Sequence, residues 1–208
     1  DTLRQLLRDV VYTCGERLAE SVIAREMNVS QNTARDALAL LVTEGWLLKR
    51  PRRGMIVREF AIDEVRELYT LRATLERLAL SWALDVIVEE DKLRLSNTIS
   101  EARLHAGVGN RRGLRESIFS FHEVMLEVAG KPQTAQLLYT LHNQCRLLEN
   151  LRVENAPRDA ESLAQTITDY GDLLTRIRYN DRKAALNTIH DMVMEEGRLL
   201  LPLLDLLN

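Results

Sequence analysis

Residues 17–57 read RLAESVIAREMNVSQNTARDALALLVTEGWLLKRPRRGMIV, and the periodicities in this stretch set the architecture of the N-terminal part of the chain. Residues 18–27 place Leu18, Val22, Ile23 and Met27 on one face of a short helix. Asn28 follows, a residue type that tolerates the left-handed backbone of a tight turn. Ser30 is a suitable N-cap for a helix over 31–44 whose inward stripe is Ala34, Leu38, Leu41 and Val42. Two helices joined by a turn of about three or four residues form a helix-turn-helix.

The second of these helices is divided along its length. Gln31, Asn32, Thr33 and Arg35 make its first turns polar, whereas residues 37–42 (ALALLV) are apolar throughout. A helix presented to a DNA groove needs short polar side chains at its N-terminal end, where they reach base edges and phosphates. After Gly45, residues 46–50 (WLLKR) and 55–59 (MIVRE) predict two strands, joined by Pro51-Arg52-Arg53-Gly54 as the turn. From Lys49 to Arg58 there are five basic residues (Lys49, Arg50, Arg52, Arg53, Arg58) and no acidic one. A cationic hairpin tip directly after a polar-tipped helix has the order of a winged helix and suits phosphate contact. Either feature alone is ordinary, since helix N-termini and arginine-rich loops are usually just solvated. Their conjunction at this spacing points to DNA.

Working outward, LRQLLRDVVY at 3–12 sets Leu3, Leu6, Leu7 and Val10 or Val11 on one face, so a helix is expected there, interrupted by Gly15. The 208 residues suffice for two small domains. Apolar residues at 46% and charged residues at 28% fit a globular chain rather than a disordered one. Only 5% are aromatic, so the core must be mainly Leu, Ile, Val and Ala, which suits helix packing. Residues 1–60 carry ten Lys/Arg against eight Asp/Glu, a net of +2, and the remainder carries eighteen against twenty-three, a net of −5. The basic cluster is therefore local. No apolar run reaches the length of a membrane span and the start has no signal-peptide layout. Cys14 and Cys145 match no metal-ligand spacing. A cytoplasmic protein with reduced thiols and no membrane partner is expected.

Beyond residue 60 the chain reads as helical throughout, with breaks near Val88–Glu90, Gly107–Gly109, Gly130–Pro132, Asn155–Pro157 and Asn180–Asp181. The fold class is thus mostly α: a winged helix-turn-helix over 1–60, then an all-α antiparallel bundle of about six helices over 61–208. Apolar stripes at Leu114, Ile118, Phe121, Met125 and Val128, and at Leu163, Ile167, Tyr170, Leu174 and Ile177, step by three and four as core-facing helices do.

Residues 17–57 resemble the winged helix of the GntR family of bacterial regulators. The matching positions are Leu18, Glu20, Ala24, Val29, Ser30, Arg35, Ala37, Leu38, Leu41 and Gly45, with Arg53-Gly54 in the wing. The resemblance implies DNA contacts from Ser30, Thr33 and Arg35 on the helix and from Arg53 and Gly54 in the wing. Gln31, Asn32, Arg50 and Arg52 join them from the residue reading above. The family usually has Arg where this chain has Gln31, and Gln favours adenine where Arg favours guanine. The operator is expected to differ at that base.

Leu71-Arg72 with Leu75-Glu76, then Phe121-His122, then Asp181 and Ala185, resemble the ligand-binding domain of the FadR subgroup. Many of its members hold a divalent metal with an Asp four residues before the His and two further His twenty-two residues apart. Here His122 keeps its place, but the other three positions are Ile118, Tyr170 and Met192. One imidazole among Ile, Tyr and Met cannot hold Zn²⁺, which needs three or four N, O or S donors. No metal and no cofactor are expected. His190 is about 200° round the helix from Met192 and does not replace a ligand. Arg72, His122, Tyr170 and Met192 are the candidate effector-binding residues, with Arg72 offering charge to an organic acid. The plainer reading makes His122 and Tyr170 hydrogen-bonded core residues and pairs Arg72 with Glu76 one turn on.

The function expected is a sequence-specific DNA-binding transcription regulator under small-molecule control. A homodimer would read a pseudo-palindromic double-stranded operator, because two-fold symmetry requires matching half-sites. An all-helical enzyme is the contrary class, but the chain has no paired carboxylates at metal spacing, no Ser/His or Cys/His arrangement and no Gly-rich phosphate loop. A winged helix used only for protein contact is the other, and the acid-free wing argues against it.

Overall fold

The computed structural model describes residues 1–9, 11–155 and 160–207, with side chains described over 1–9, 11–150 and 164–204. Within that range the chain forms two compact units, Asp1–Ala61 with Tyr139–Arg152, and Ile62–Leu138 with Val153–Asn208. No sequence signal marks the recruitment of 139–152 to the first unit. No helix among the described residues is long and apolar enough to cross a membrane.

The first unit runs α1 (Thr2–Arg8), β1 (Arg17–Leu18), α2 (Glu20–Glu26), α3 (Gln31–Thr43), β2 (Leu47–Arg50) and β3 (Gly54–Val57). The expected hairpin is present, with Lys49 opposite Met55 and Arg50 opposite Gly54. The apolar periodicity predicts a first helix reaching residue 12, whereas α1 stops at Arg8; Val10 lies outside the described residues. The same periodicity predicts a second helix from Leu18. Instead Arg17–Leu18 is a two-residue strand that pairs antiparallel with β3, giving a three-stranded sheet in the order β1-β3-β2. Two residues are too few to show a period of two, so this strand has no signature in the sequence.

Leu3, Leu7, Ile23, Leu38, Trp46 and Leu147 are buried together in one core. Leu147 comes from α7 (Pro132–Asn155), and that helix also finishes the ends of two others. Asn143 Nδ2 donates to the Glu44 carbonyl at 3.0 Å and Asn150 Nδ2 to the Leu7 carbonyl at 3.2 Å. Both acceptors are helix-end carbonyls that have no intrahelical partner. Gly45 turns the chain between α3 and β2 at φ +85°, and a Cβ there would come within 2.9 Å of Thr140 Cγ2.

The second unit is built from α4 (Ile62–Val86), α5 (Glu89–Gly107), α6 (Arg111–Ala129), α8 (Ala160–Arg178) and α9 (Arg182–Leu207), together with the first residues of α7. With α7 these make the six helices expected after residue 60. α4 packs on α9 and α6, α5 on α6 and α8, and α8 on α9. Helix starts follow local chemistry: Asn110 Oδ1 accepts from Gly113 N at 3.0 Å, and Asp181 Oδ1 from Ala184 N at 3.1 Å. Ile118, Phe121, Met125, Tyr170, Leu174 and Ile177 are buried as their stripes require. The Leu163 side chain and the middle of the 155–157 break lie outside the described residues. The described inward positions include charged ones, among them the buried Arg72 and Glu76 on α4 and the half-buried Glu196 on α9.

Candidate functional site

The first unit presents a polar helix tip beside a cationic hairpin. Gln31, Asn32, Thr33 and Arg35 are all exposed on α3, while Ala34, Leu38 and Leu41 turn into the core. Ser30 is the N-cap, and its Oγ accepts from Thr33 N at 3.1 Å and lies 2.8 Å from Thr33 Oγ1. Ser30 and Thr33, two of the residues expected to touch DNA, therefore also hold the helix start in place. Its unpaired N–H groups and dipole favour an anion there.

Arg50, Arg52, Arg53 and Gly54 form the exposed hairpin tip, closed by Arg53 N–H donating to the Arg50 carbonyl at 3.2 Å. Arg52 takes φ +64° and Gly54 φ +79°, and this pair of left-handed residues folds the turn back tightly. Among the described residues, Lys49, Arg50, Arg52 and Arg53 make no ion pair. Four cations without a counter-charge on one short hairpin form a surface suited to phosphates.

Between the hairpin and α3 runs a groove of about 600 Å³ whose walls include Arg17, Glu20, Gln31, Arg35, Lys49 and Gly54. Arg17 enters it from β1, and sequence reasoning missed it because nothing marked that strand. Glu20 explains its own place in the family pattern: its Oε2 accepts from Arg35 Nε at 3.0 Å. That contact limits the rotamers of Arg35 within the groove it lines.

The second unit carries a buried polar network at the junction of α4, α6, α8 and α9. Arg72, 1% exposed, donates from Nε to Glu76 Oε1 at 2.7 Å and from Nη1 to Glu196 Oε2 at 2.6 Å. Its Nη2 lies 3.3 Å from His122 Nε2, which is also 2.7 Å from the Tyr170 hydroxyl. His122 Nδ1 sits 2.8 Å from Glu76 Oε2. The Tyr170 hydroxyl meets Glu196 Oε1 at 3.2 Å. The guanidinium carbon is 5.7 Å from the Tyr69 ring centre and 5.6 Å from that of Phe119, within cation–π range. Burial, reinforced by the Glu196 charge and opposed by Arg72, holds the Tyr170 phenol well above its ordinary pKa.

The structure thus brings together Arg72, His122 and Tyr170. Met192 is half-buried on α9 and makes no hydrogen bond with them among the described residues. It lies one turn before Glu196. The Arg72–Glu76 pair is present as the plainer reading had it, but it is wholly buried rather than on the helix surface. Glu76 and Glu196 are the partners that sequence reasoning did not place in the site. Their signal was available: each is a carboxylate at an inward position, Glu76 one turn after Arg72 and Glu196 following Ala185, Ile189 and Val193.

The four positions that hold a metal in the resembling family are Ile118, His122, Tyr170 and Met192 here, and they do not fit one. Ile118 is a buried hydrocarbon. The Nε2 of the single imidazole faces a phenol and a guanidinium, and that fixed positive charge opposes a second cation at the same atom.

The family model "Bacterial regulatory proteins, gntR family" matches residues 1–57, and the FCD domain model matches residues 67–194. The chain is similar to the uncharacterized HTH-type transcriptional regulator YdhC of Bacillus subtilis (strain 168), with 25% identity over 209 residues, 94% of this chain and 91% of that one. The HTH-type transcriptional repressor RspR of Escherichia coli (strain K12) is 26% identical over 129 residues, 61% of this chain and 57% of its own. Among solved structures, E. coli McbR/YncC superposes with a TM-score of 0.83 at 18% identity, covering 96% of this chain and 93% of its own, a likeness of fold.

Proposed function

Because the chain belongs to the GntR family of bacterial regulatory proteins and carries an FCD domain, we propose that it is a cytoplasmic, sequence-specific DNA-binding regulator whose operator affinity is set by a small-molecule effector. One observation carries the DNA-binding half: four cations that make no ion pair among the described residues, on the hairpin beside the exposed polar tip of α3. Phosphate contacts from Arg50, Arg52, Arg53 and the Gly54 backbone fix register, while Gln31, Asn32, Thr33 and Arg35 read base edges. Ser30 holds the helix tip against the backbone. A homodimer places two such heads on a pseudo-palindromic operator, since a two-fold axis repeats each contact.

The second unit supports the effector half. A buried guanidinium linked to a histidine and a tyrosine forms a polar centre in an apolar bundle, the usual chemistry of a small-molecule site. An effector with unequal affinity for two states of the bundle shifts the population that binds DNA. Regulation, rather than catalysis, is the use to which this centre is put.

The test is an operator selected from random duplexes, titrated by fluorescence anisotropy with the whole chain. Arg53→Ala should weaken binding about equally across sequences. Arg35→Ala should also reduce discrimination between selected and scrambled duplexes, by about 1–3 kcal/mol. Unchanged affinity in both variants would overturn the DNA-binding reading and leave a protein-docking winged helix.

A further inference from the structure

The two carboxylates on Arg72 are not equivalent. Glu76 is on the same helix, one turn away and fully buried; its Oε1 accepts from Arg72 Nε and its Oε2 lies 2.8 Å from His122 Nδ1. Glu196 reaches in from α9, and its side chain is 22% exposed. It meets Arg72 Nη1 at 2.6 Å and the Tyr170 hydroxyl at 3.2 Å, so it spans from solvent to the buried guanidinium. A buried guanidinium stripped of its counter-charge is costly, whereas exchange of one carboxylate for another keeps the charge balance.

We propose that Glu196 is a resident stand-in for the effector, and that the effector is a small organic carboxylate that takes its place on Arg72. The incoming carboxylate accepts from Arg72 Nη1, beside the Tyr170 hydroxyl, while Glu76 continues to hold Nε. Glu196, already 22% exposed, swings out to solvent. The exchange costs no net buried charge, and it cuts the ion pair that ties α9 to α4. That gives the ligand differential contact with two arrangements of these helices. The geometry requires the effector to compete with Glu196 for one guanidinium edge. The inference rests on the effector reading above and on the organic-acid class expected there, and adds the ligand's internal competitor.

The experiment is calorimetric titration of the full chain with acetate, benzoate and succinate at constant ionic strength, using Glu196→Gln, Glu195→Gln and Arg72→Lys. Glu195 is the control, an exposed neighbouring acid whose partner is Arg198. The expected result is about tenfold tighter binding of at least one probe to Glu196→Gln than to the wild type, no change in Glu195→Gln, and no binding to Arg72→Lys. Circular dichroism establishes that each variant is folded. Should Glu196→Gln fail to fold, Glu196→Asp, too short to reach Arg72, serves the same comparison with the same expected gain. Equal or weaker binding by the Glu196 variant would overturn the exchange. If Arg72→Lys still abolished binding in that case, the ligand site at Arg72 would stand and only the role of Glu196 would fall. If Arg72→Lys bound as the wild type does, the effector reading at this centre would fall with it. No binding of any probe to wild type or Glu196→Gln overturns the carboxylate assignment outright.

Discussion

Tyr170 shows how much a single residue's meaning depends on its surroundings. In the sequence it is an aromatic residue on an inward stripe, and core packing is the default reading. In the fold its hydroxyl stands between His122 and Glu196, and burial raises its pKa well above the usual value near 10. Above about pH 10 the unfolded chain releases this proton and the native state keeps it, so the unfolded state binds fewer protons and stability falls as pH rises. The slope should approach about 1.4 kcal/mol per pH unit from this residue alone. Urea unfolding at about pH 9 and again about 1.5 units higher should show this loss in the wild type and a smaller one in Tyr170→Phe. Equal losses in both would mean that the phenol is not held protonated. Arg72 and Glu76 were legible as an i, i+4 pair, and Glu20 was legible only as a family position. The partners Glu196 and Arg35 are separated from theirs by 124 and 15 residues, distances at which spacing carries no information.

Helices are the elements the sequence specified best. α6 spans Arg111–Ala129, the segment read from its stripe, and α3 begins after Ser30 because that side chain caps it. What the stripes did not give is how closely two helices approach. Gly197 sits on α9 next to Glu196, and a Cβ there would meet Tyr69 Cγ at 2.6 Å and Tyr69 Cβ at 2.7 Å on α4. The missing side chain lets α9 settle on α4 and brings Glu196 to Arg72. Gly197→Ala should therefore cost about 1–3 kcal/mol through overpacking, despite alanine's better helix propensity. Gly171 on α8 is the contrast, since its Cβ would come no nearer than 3.6 Å to the Arg103 guanidinium. Gly171→Ala should be neutral or gain up to about 1 kcal/mol. Urea midpoints of the two variants check this; equal changes would remove the close-packing explanation.

For the whole molecule the net charge of −3 conceals a division, +2 over residues 1–60 and −5 over the rest. Binding to a polyanion must then be local, carried by a few cations. If the four wing cations Lys49, Arg50, Arg52 and Arg53 each neutralise one phosphate, log affinity should fall against log salt with a slope of about −3.6 per reading head. Arg53→Ala should flatten it by about 0.9 per head. A slope near zero in anisotropy titrations across a salt series would mean that the wing makes no phosphate contact.

By itself the sequence determined the mostly α class, the helix-turn-helix with its basic hairpin, the bundle helices and most of their ends. These follow from periodicity, caps and turn residues, which act over a few neighbours. Only the tertiary structure decided that Arg17–Leu18 adds a strand to the wing, that 139–152 joins the N-terminal unit, and that Glu196 closes the charge network on Arg72. Each depends on chain segments far apart in sequence meeting in space, where burial and charge compensation, rather than local propensity, select the partner.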